Sequence, residues 1–419
     1  MRSNAATDES RDGIMTAYPA LKTTFFVGRE TELCDIAELM NDPCCRLLTL
    51  TGLGGIGKTR LAMEYARRQK DTFANGFCFA PLQGLHSHEN IVSAVAESFQ
   101  CPISPKRALI EQLLEYLHEK SLLLVLDNFE HLLDGVHSLS DILVHAPQVK
   151  ILTTSRERLN IVEEWVYEVG GLSFPTHESE TEIETYSAVQ LFMHNARRVQ
   201  HSFALTPAQK SAVNRICWLV GGMPLGIELA SAWVRVLPCE TIADEIERSL
   251  DILETTSANM PPRHRNMRAV FESMWDRLSQ FEQEVFKKLS VFRGSFTLEA
   301  AECIAGASRP ILRTLIDQCF LQIDSAERYA LHELLRQYGA EKLGDSPQLQ
   351  EEVNNLHRAY FMGLLTLHGA KIVFFGHQKE AIQKLNSDGE NIRVAWQRAV
   401  TQELLEEICQ AAEGLWSYY

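Results

Sequence analysis

Two hydrophobic periodicities divide the chain. From Thr24 to Pro175, short apolar runs alternate with amphipathic stretches. "RLLTLTG", "GFCFAPL", "SLLLVLDN", "VKILTTS" and "EWVYEV" have the length and apolar bias of strands. Most of them are continuous or nearly continuous apolar segments, as strands covered on both faces of a parallel sheet must be. Between them, "TRLAMEYARRQ", "ENIVSAVAESFQ" and "EQLLEYLHEK" carry helical spacing. This alternation predicts an α/β domain with a parallel sheet.

Beyond the polar stretch "SFPTHESETEIET" the pattern becomes helical only, through "SAVQLFMHNARRVQ", "QKSAVNRICWLVGG", "GIELASAWVRVL" and "TIADEIERSLDIL". A second break, "SANMPPRHRN", joins Pro-Pro to basic residues and reads as a boundary. From Asn266 to Gly344 the spacing predicts four or five short helices, with "FLQIDSAERYALH" forming a small hairpin. Helices followed by a two-stranded wing make a winged-helix pattern. From Ser346 onward the chain is helical again, and it stops at "GLWSYY" without a capping or breaking residue, which reads as a longer protein cut there. The expected organisation is a disordered leader over 1–23, an α/β domain over 24–175, a helical domain over 186–260, a winged-helix domain over 264–345 and a helical, TPR-like region over 346–419.

The most specific chemistry follows the first strand. In "GLGGIGKTR", Gly52 is followed after four residues by Gly57, Lys58 and Thr59, the pattern of a P-loop. Its glycines let backbone N–H groups turn inward around a polyphosphate, and the following helix presents its positive end. Lys58 is expected to reach the terminal phosphates, and the Thr59 hydroxyl to ligate Mg²⁺. Gly54, Gly55 and Arg60 belong to the same cradle. An apolar strand before the loop and an amphipathic helix after it supply the context that raises the pattern above a chance glycine-rich turn.

"SLLLVLDNFEH" places Asp127 at the end of an apolar strand, where a second Mg²⁺ support belongs. Asn128 follows it. An amide can orient water but cannot take its proton, so hydrolysis is expected to be slow. Glu130 lies close in sequence, and the strand-to-helix turn is expected to aim it elsewhere. "KILTTSRERL" ends another strand with Thr153, Thr154, Ser155 and Arg156. An arginine at the C-terminal edge of a parallel strand lies beside the ligand crevice, so Arg156 is a candidate γ-phosphate sensor.

Composition narrows the partners. The chain has 419 residues, 45% hydrophobic and 23% charged, with a net charge of −15, which argues against a large nucleic-acid surface. No apolar run reaches the ~18 residues of a membrane span, and the polar, charged start lacks a signal-peptide core. The ten cysteines are scattered, with no Cys-x-x-Cys pair, and are expected mostly as buried thiols in a reducing cytoplasm.

Six segments in register then resemble a known family: "FFVGRETEL", "TGLGGIGKTRLA", "LLLVLDNFEHL", "ILTTSRERL", "GGMPLGIELA" and "YALHELLRQYGAEKL". Together they are similar to the NB-ARC-like branch of the STAND ATPases, which includes plant resistance proteins, apoptosome-type scaffolds and bacterial AfsR/LuxR-type multidomain regulators. The resemblance implies an ATP/ADP-controlled switch for transcription or defence signalling, ADP-bound at rest, with weak, slow ATPase activity. It implies that Val27, Gly28, Arg29 and Glu30 line the adenine side and that Pro224 packs on the adenine or ribose. It further implies that His332 contacts the β-phosphate of ADP. Here the family's Met-His-Asp motif reads Leu331-His332-Glu333, a departure on both sides of the histidine.

The partners so implied are an adenine nucleotide with Mg²⁺, a signal ligand or protein met through the C-terminal helices, and a second copy of the chain on activation. "SRPILRTLIDQCF" carries few basic residues, so the winged helix is expected to dock as a regulatory module and not to bind DNA. The competing readings are a conventional turnover ATPase and a winged-helix transcription factor.

Overall fold

The apolar runs of the N-terminal half become a five-stranded sheet. A computed structural model of the chain describes residues 25–418, apart from 86, 100, 102–103, 105, 176–181, 256–264 and 375–377. The expected leader and most of the two polar breaks lie outside the described residues. The chain divides into two compact units, Met1–Leu172 and Ser173–Tyr419, and each is taken by itself.

In the first unit the order is α1 (Glu30–Asn41), β1 (Leu47–Thr51), α2 (Lys58–Arg68), β2 (Phe77–Pro81), α3 (Ile91–Ser98), α4 (Leu109–Leu117), β3 (Leu122–Asp127), α5 (His137–His145), β4 (Val149–Thr154) and β5 (Glu164–Glu168). The strands lie in the order β2-β3-β4-β1-β5, all parallel. Every residue of β1 and β3 is buried, which is why those stretches read as unbroken apolar runs. At the sheet's edge, β5 has no buried position and mixes half-exposed with exposed residues. Leu47, Leu124, Leu126 and Ile151 pack with Val95, Leu113 and Leu139 from the helices, each contributing about 1.5–3 kcal/mol by leaving water. Because β4 lies between β1 and β3, the loops after these strands open at one end of the sheet.

The second unit begins with α6 (Ser187–Val199), α7 (Pro207–Leu219), α8 (Pro224–Ala232) and α9 (Cys239–Arg248). Thr206 and Gln209 cap α7 reciprocally, and Pro207 starts it. Gly221 and Gly222, both at positive φ, end α7, and Pro224 starts α8. Next come α10 (Met267–Trp275), α11 (Gln280–Leu289), β6 (Ser295–Phe296), α12 (Leu298–Ala305), α13 (Arg309–Asp317), β7 (Gln322–Ile323), β8 (Tyr329–Ala330) and α14 (Glu333–Gly344). The expected hairpin is β7–β8, and β6 adds a third, antiparallel strand in the order β6-β8-β7. Phe271, Trp275, Phe286, Phe320 and Tyr338 meet ring to ring between the helices of this region.

The tail is α15 (Pro347–Phe374), α16 (Gln378–Ser387), α17 (Gly389–Thr401) and α18 (Leu405–Tyr418). A polar knot fastens it to the wing. Arg328 donates to the Ser295 carbonyl and pairs with buried Asp388. Asn391 accepts from the Arg293 amide and donates to the Ser295 carbonyl, and His357 bonds its Oδ1. The wing's arginine is therefore turned into the protein.

The ten cysteines are all free, but only Cys45, Cys78, Cys217 and Cys239 are buried, while Cys34, Cys44, Cys303 and Cys409 are exposed. Apolar character alone does not say which face of a helix a thiol takes, so the expectation of mostly buried thiols fails. Among the described residues, no helix is long and apolar enough to cross a membrane.

Candidate functional site

The loop between β1 and α2 is built around its glycines. Gly52 has φ +146, and a Cβ there would stand 2.7 Å from the Val169 carbonyl, so the chain passes the residue after β5 too closely for any side chain. Gly57 takes a left-handed conformation where α2 begins. Lys58, nearly buried, reaches back to donate to the carbonyls of Gly52 at 2.6 Å and Leu53 at 3.1 Å. That posture keeps the ammonium over the loop where the terminal phosphates of a nucleotide would lie.

The segment before α1 is fastened to this loop. Gly28 and Arg29 are successive left-handed residues. Arg29 donates to the Ile56 carbonyl at 3.0 Å and to Glu32 at 2.6 Å. Arg60 donates to the Phe25 carbonyl at 2.7 Å. The stretch holding Val27, Gly28 and Arg29 and the P-loop thus form one surface.

Asp127, buried at the end of β3, is the hub of the strand ends. Thr59 Oγ1 donates to its Oδ1 at 2.6 Å, and Thr154 Oγ1 donates to the same atom at 2.7 Å. Burial raises the Asp127 carboxyl above its usual range; the two hydroxyls and Lys58 oppose this, and nearby Glu130 adds to it. Thr59 and Asp127 are the oxygen pair expected to support Mg²⁺. Among the described residues no group of three or more His, Cys, Asp or Glu side chains could hold a metal. Mg²⁺ with few protein ligands, shared with phosphate, fits this donor set.

The strand-to-helix turn does not aim Glu130 elsewhere. Asn128 takes a left-handed turn at φ 64, and its N–H donates to Thr154 Oγ1 at 3.0 Å. The turn swings Glu130 inward, where its Oε1 lies 3.1 Å from Arg156 Nε. Both side chains are under a tenth exposed. The structure therefore brings together Lys58, Thr59, Asp127, Asn128 and Arg156, and adds Glu130 and Thr154. Thr154 carries a weak signal in the sequence, a hydroxyl at a strand end. Glu130 carries none beyond its nearness to Asp127.

In the second unit, His332 is the N-cap of α14, and its Nδ1 accepts from the Leu334 amide at 3.2 Å. The neutral ring therefore carries its proton on Nε2. Nε2 is buried and makes no well-formed hydrogen bond, although the Val220 carbonyl stands near the ring. Burial lowers the His332 pKa to about 4, although Glu333 and the Val220 carbonyl favour the protonated ring. The imidazole lies against Gly221, whose Cβ would meet Nε2 at 2.2 Å. So the "GGMP" turn leading into Pro224 and the histidine after the wing meet within one unit. Glu333, the motif's departure, is held by Arg336 at 2.7 and 2.9 Å. Burial alone would raise its carboxyl, but Arg336 and Arg293 carry it below the usual range.

The sequence has relatives. A family model described as an AAA domain matches residues 44–164. A putative HTH-type transcriptional regulator of Mycobacterium tuberculosis is 31% identical over 381 residues, 88% of this chain and 41% of that protein. An uncharacterized protein of the same organism is 31% identical over 336 residues, 77% of this chain and 82% of that one. The regulatory protein AfsR of Streptomyces griseus is 24% identical over 339 residues, 75% of this chain and 32% of AfsR. The chain therefore spans less than half the length of the regulators it matches.

Proposed function

The chain belongs to the STAND-class P-loop ATPases, in the branch of the AfsR-type bacterial regulators, and from that footing we propose that it is a nucleotide-controlled switch. In this reading Lys58 and the Gly52–Gly57 backbone hold the phosphates, Thr59 and Asp127 hold Mg²⁺, and Val27, Gly28 and Arg29 line the base. Pro224 and His332 engage the same nucleotide in the resting, ADP-bound state. Mg²⁺ would neutralise phosphate charge.

The observation that carries the reading is the buried Nε2–H of His332. The acceptor near it is the Val220 carbonyl, to which it makes no well-formed hydrogen bond, and a phosphate oxygen would complete the bond. A neutral imidazole with its proton fixed on Nε2 is suited to donate to such an oxygen. A ligand that engages this group in one state and not in another binds the two states unequally, which is the requirement for a switch.

Asn128 stands beside Asp127 and cannot accept a proton, and the inward Glu130 carboxylate is held by Arg156, so ATP turns over slowly and hydrolysis acts as a timer. Exchange of ADP for ATP releases the resting state and permits self-association. The wing's Arg328, committed to Ser295 and Asp388, supports a regulatory role for the winged helix over DNA reading. Regulation of transcription, the role named for the longer relatives, is proposed as the output. The test is the rate at which a fluorescent ADP leaves the protein: His332→Ala should speed release, and an unchanged rate would refute the assignment.

A further inference from the structure

We propose that Glu130 sets the preference between di- and triphosphate at the P-loop by holding Arg156 as a counter-ion; this rests on the nucleotide reading above. The two residues come from adjacent parallel strands, three positions beyond Asp127 on β3 and two beyond Thr154 on β4. Thr154 Oγ1 bonds Asp127 Oδ1, and Thr59 of the P-loop bonds the same atom. The pair therefore lies at the strand edge next to the Mg²⁺-supporting carboxylate. Glu130 Oε1 stands 3.1 Å from Arg156 Nε, with the side chains 5% and 9% exposed. Asn128 Nδ2 donates to the same Oε1 at 3.4 Å.

A buried guanidinium needs a counter-charge, and breaking such a pair is costly. ADP, which has no γ-phosphate to offer Arg156, would leave the pair intact. The γ-phosphate of ATP would have to compete with Glu130 for the Arg156 guanidinium. Glu130 thus taxes the triphosphate and spares the diphosphate. It is a positioning residue that acts through Arg156, and it biases the resting state toward ADP.

The test is calorimetric titration of the full chain with ADP and with the non-hydrolysable analogue AMP-PNP, each with Mg²⁺. Glu130→Gln keeps the shape and removes the charge. It should raise AMP-PNP affinity about tenfold, the scale of one partly screened ion pair released to the phosphate, and leave ADP affinity near the wild-type value. In an Arg156→Ala background the same substitution should no longer move the ratio, an effect that a merely structural role does not produce. If Glu130→Gln folds poorly, Glu130→Asp withdraws the charge from Arg156 and should shift the ratio the same way by less.

An unmoved ratio in the variant that folds, or a shift that persists without Arg156, overturns the proposal. Lys58→Ala separates the two levels. If it still binds both nucleotides, the P-loop reading itself fails. If it binds neither while Glu130→Gln leaves the ratio unmoved, only the role of Glu130 fails.

Discussion

The imidazole of His332 lies so close to the backbone of Gly221 that a Cβ on the glycine would stand 2.2 Å from Nε2. Gly221 also sits at φ +55, where a side chain is strained whatever the space. Two independent constraints therefore reserve this position for glycine. Gly221→Ala should cost about 2 kcal/mol or more and unseat the ring. Denaturant unfolding of the variant reads the first effect, and faster release of fluorescent ADP reads the second. A variant as stable as the wild type, with the same release rate, would contradict the packing.

Asp127 presents the opposite case, a group whose charge is costly to the fold. Its carboxyl is raised above the ordinary range, chiefly by burial. The folded chain then holds a proton more readily than the unfolded chain, so the ionised form lowers stability at neutral pH. Asp127→Asn keeps an oxygen for the Thr59 and Thr154 hydroxyls while removing the charge. It should melt at a higher temperature than the wild type and lose the gain in ATP affinity that Mg²⁺ provides. Lower melting with unchanged Mg²⁺ dependence would contradict this assignment.

Two histidines of the second unit set a pH dependence. Burial lowers both His332 and His357 to about 4. Glu333 opposes the shift at His332; at His357 the Asn391 bond opposes it, while Arg293 and Arg398 reinforce it. The unfolded chain binds these protons near pH 6.5, before the folded rings do. Stability is therefore complete above that pH and falls as pH drops toward 4, by at most about 1.4 kcal/mol per pH unit for each ring. Melting curves between pH 7.5 and 4.5 check the slope. His357→Gln should flatten it, and an equally steep slope in the variant would exclude His357 as a source.

The elements that position the site were legible where a single local pattern decides them. β1 and β3 are buried at every residue, so their apolar runs stand out, and the P-loop between β1 and α2 follows from the eight consecutive letters Gly52 to Thr59. What escaped depends on which strands become neighbours. Thr154 joins Thr59 and Asp127 because β4 lies between β1 and β3, across a sequence separation of 27 residues from Asp127. Glu130 turns inward because Asn128 adopts a left-handed conformation that the sequence permits but does not announce. β6 is two residues long and exists only through its pairing with β8, so no periodicity could reveal it.

The central claim is that a bound adenine nucleotide is kept as a signal and not consumed as fuel. The most direct measurement is to purify the chain without added nucleotide, denature it, and identify and count what is released, alongside its steady-state ATP turnover. The account predicts close to one ADP per chain and turnover well below the common enzyme range of about 1–10³ per second. A chain that emerges empty and hydrolyses ATP rapidly without any stimulus would contradict it.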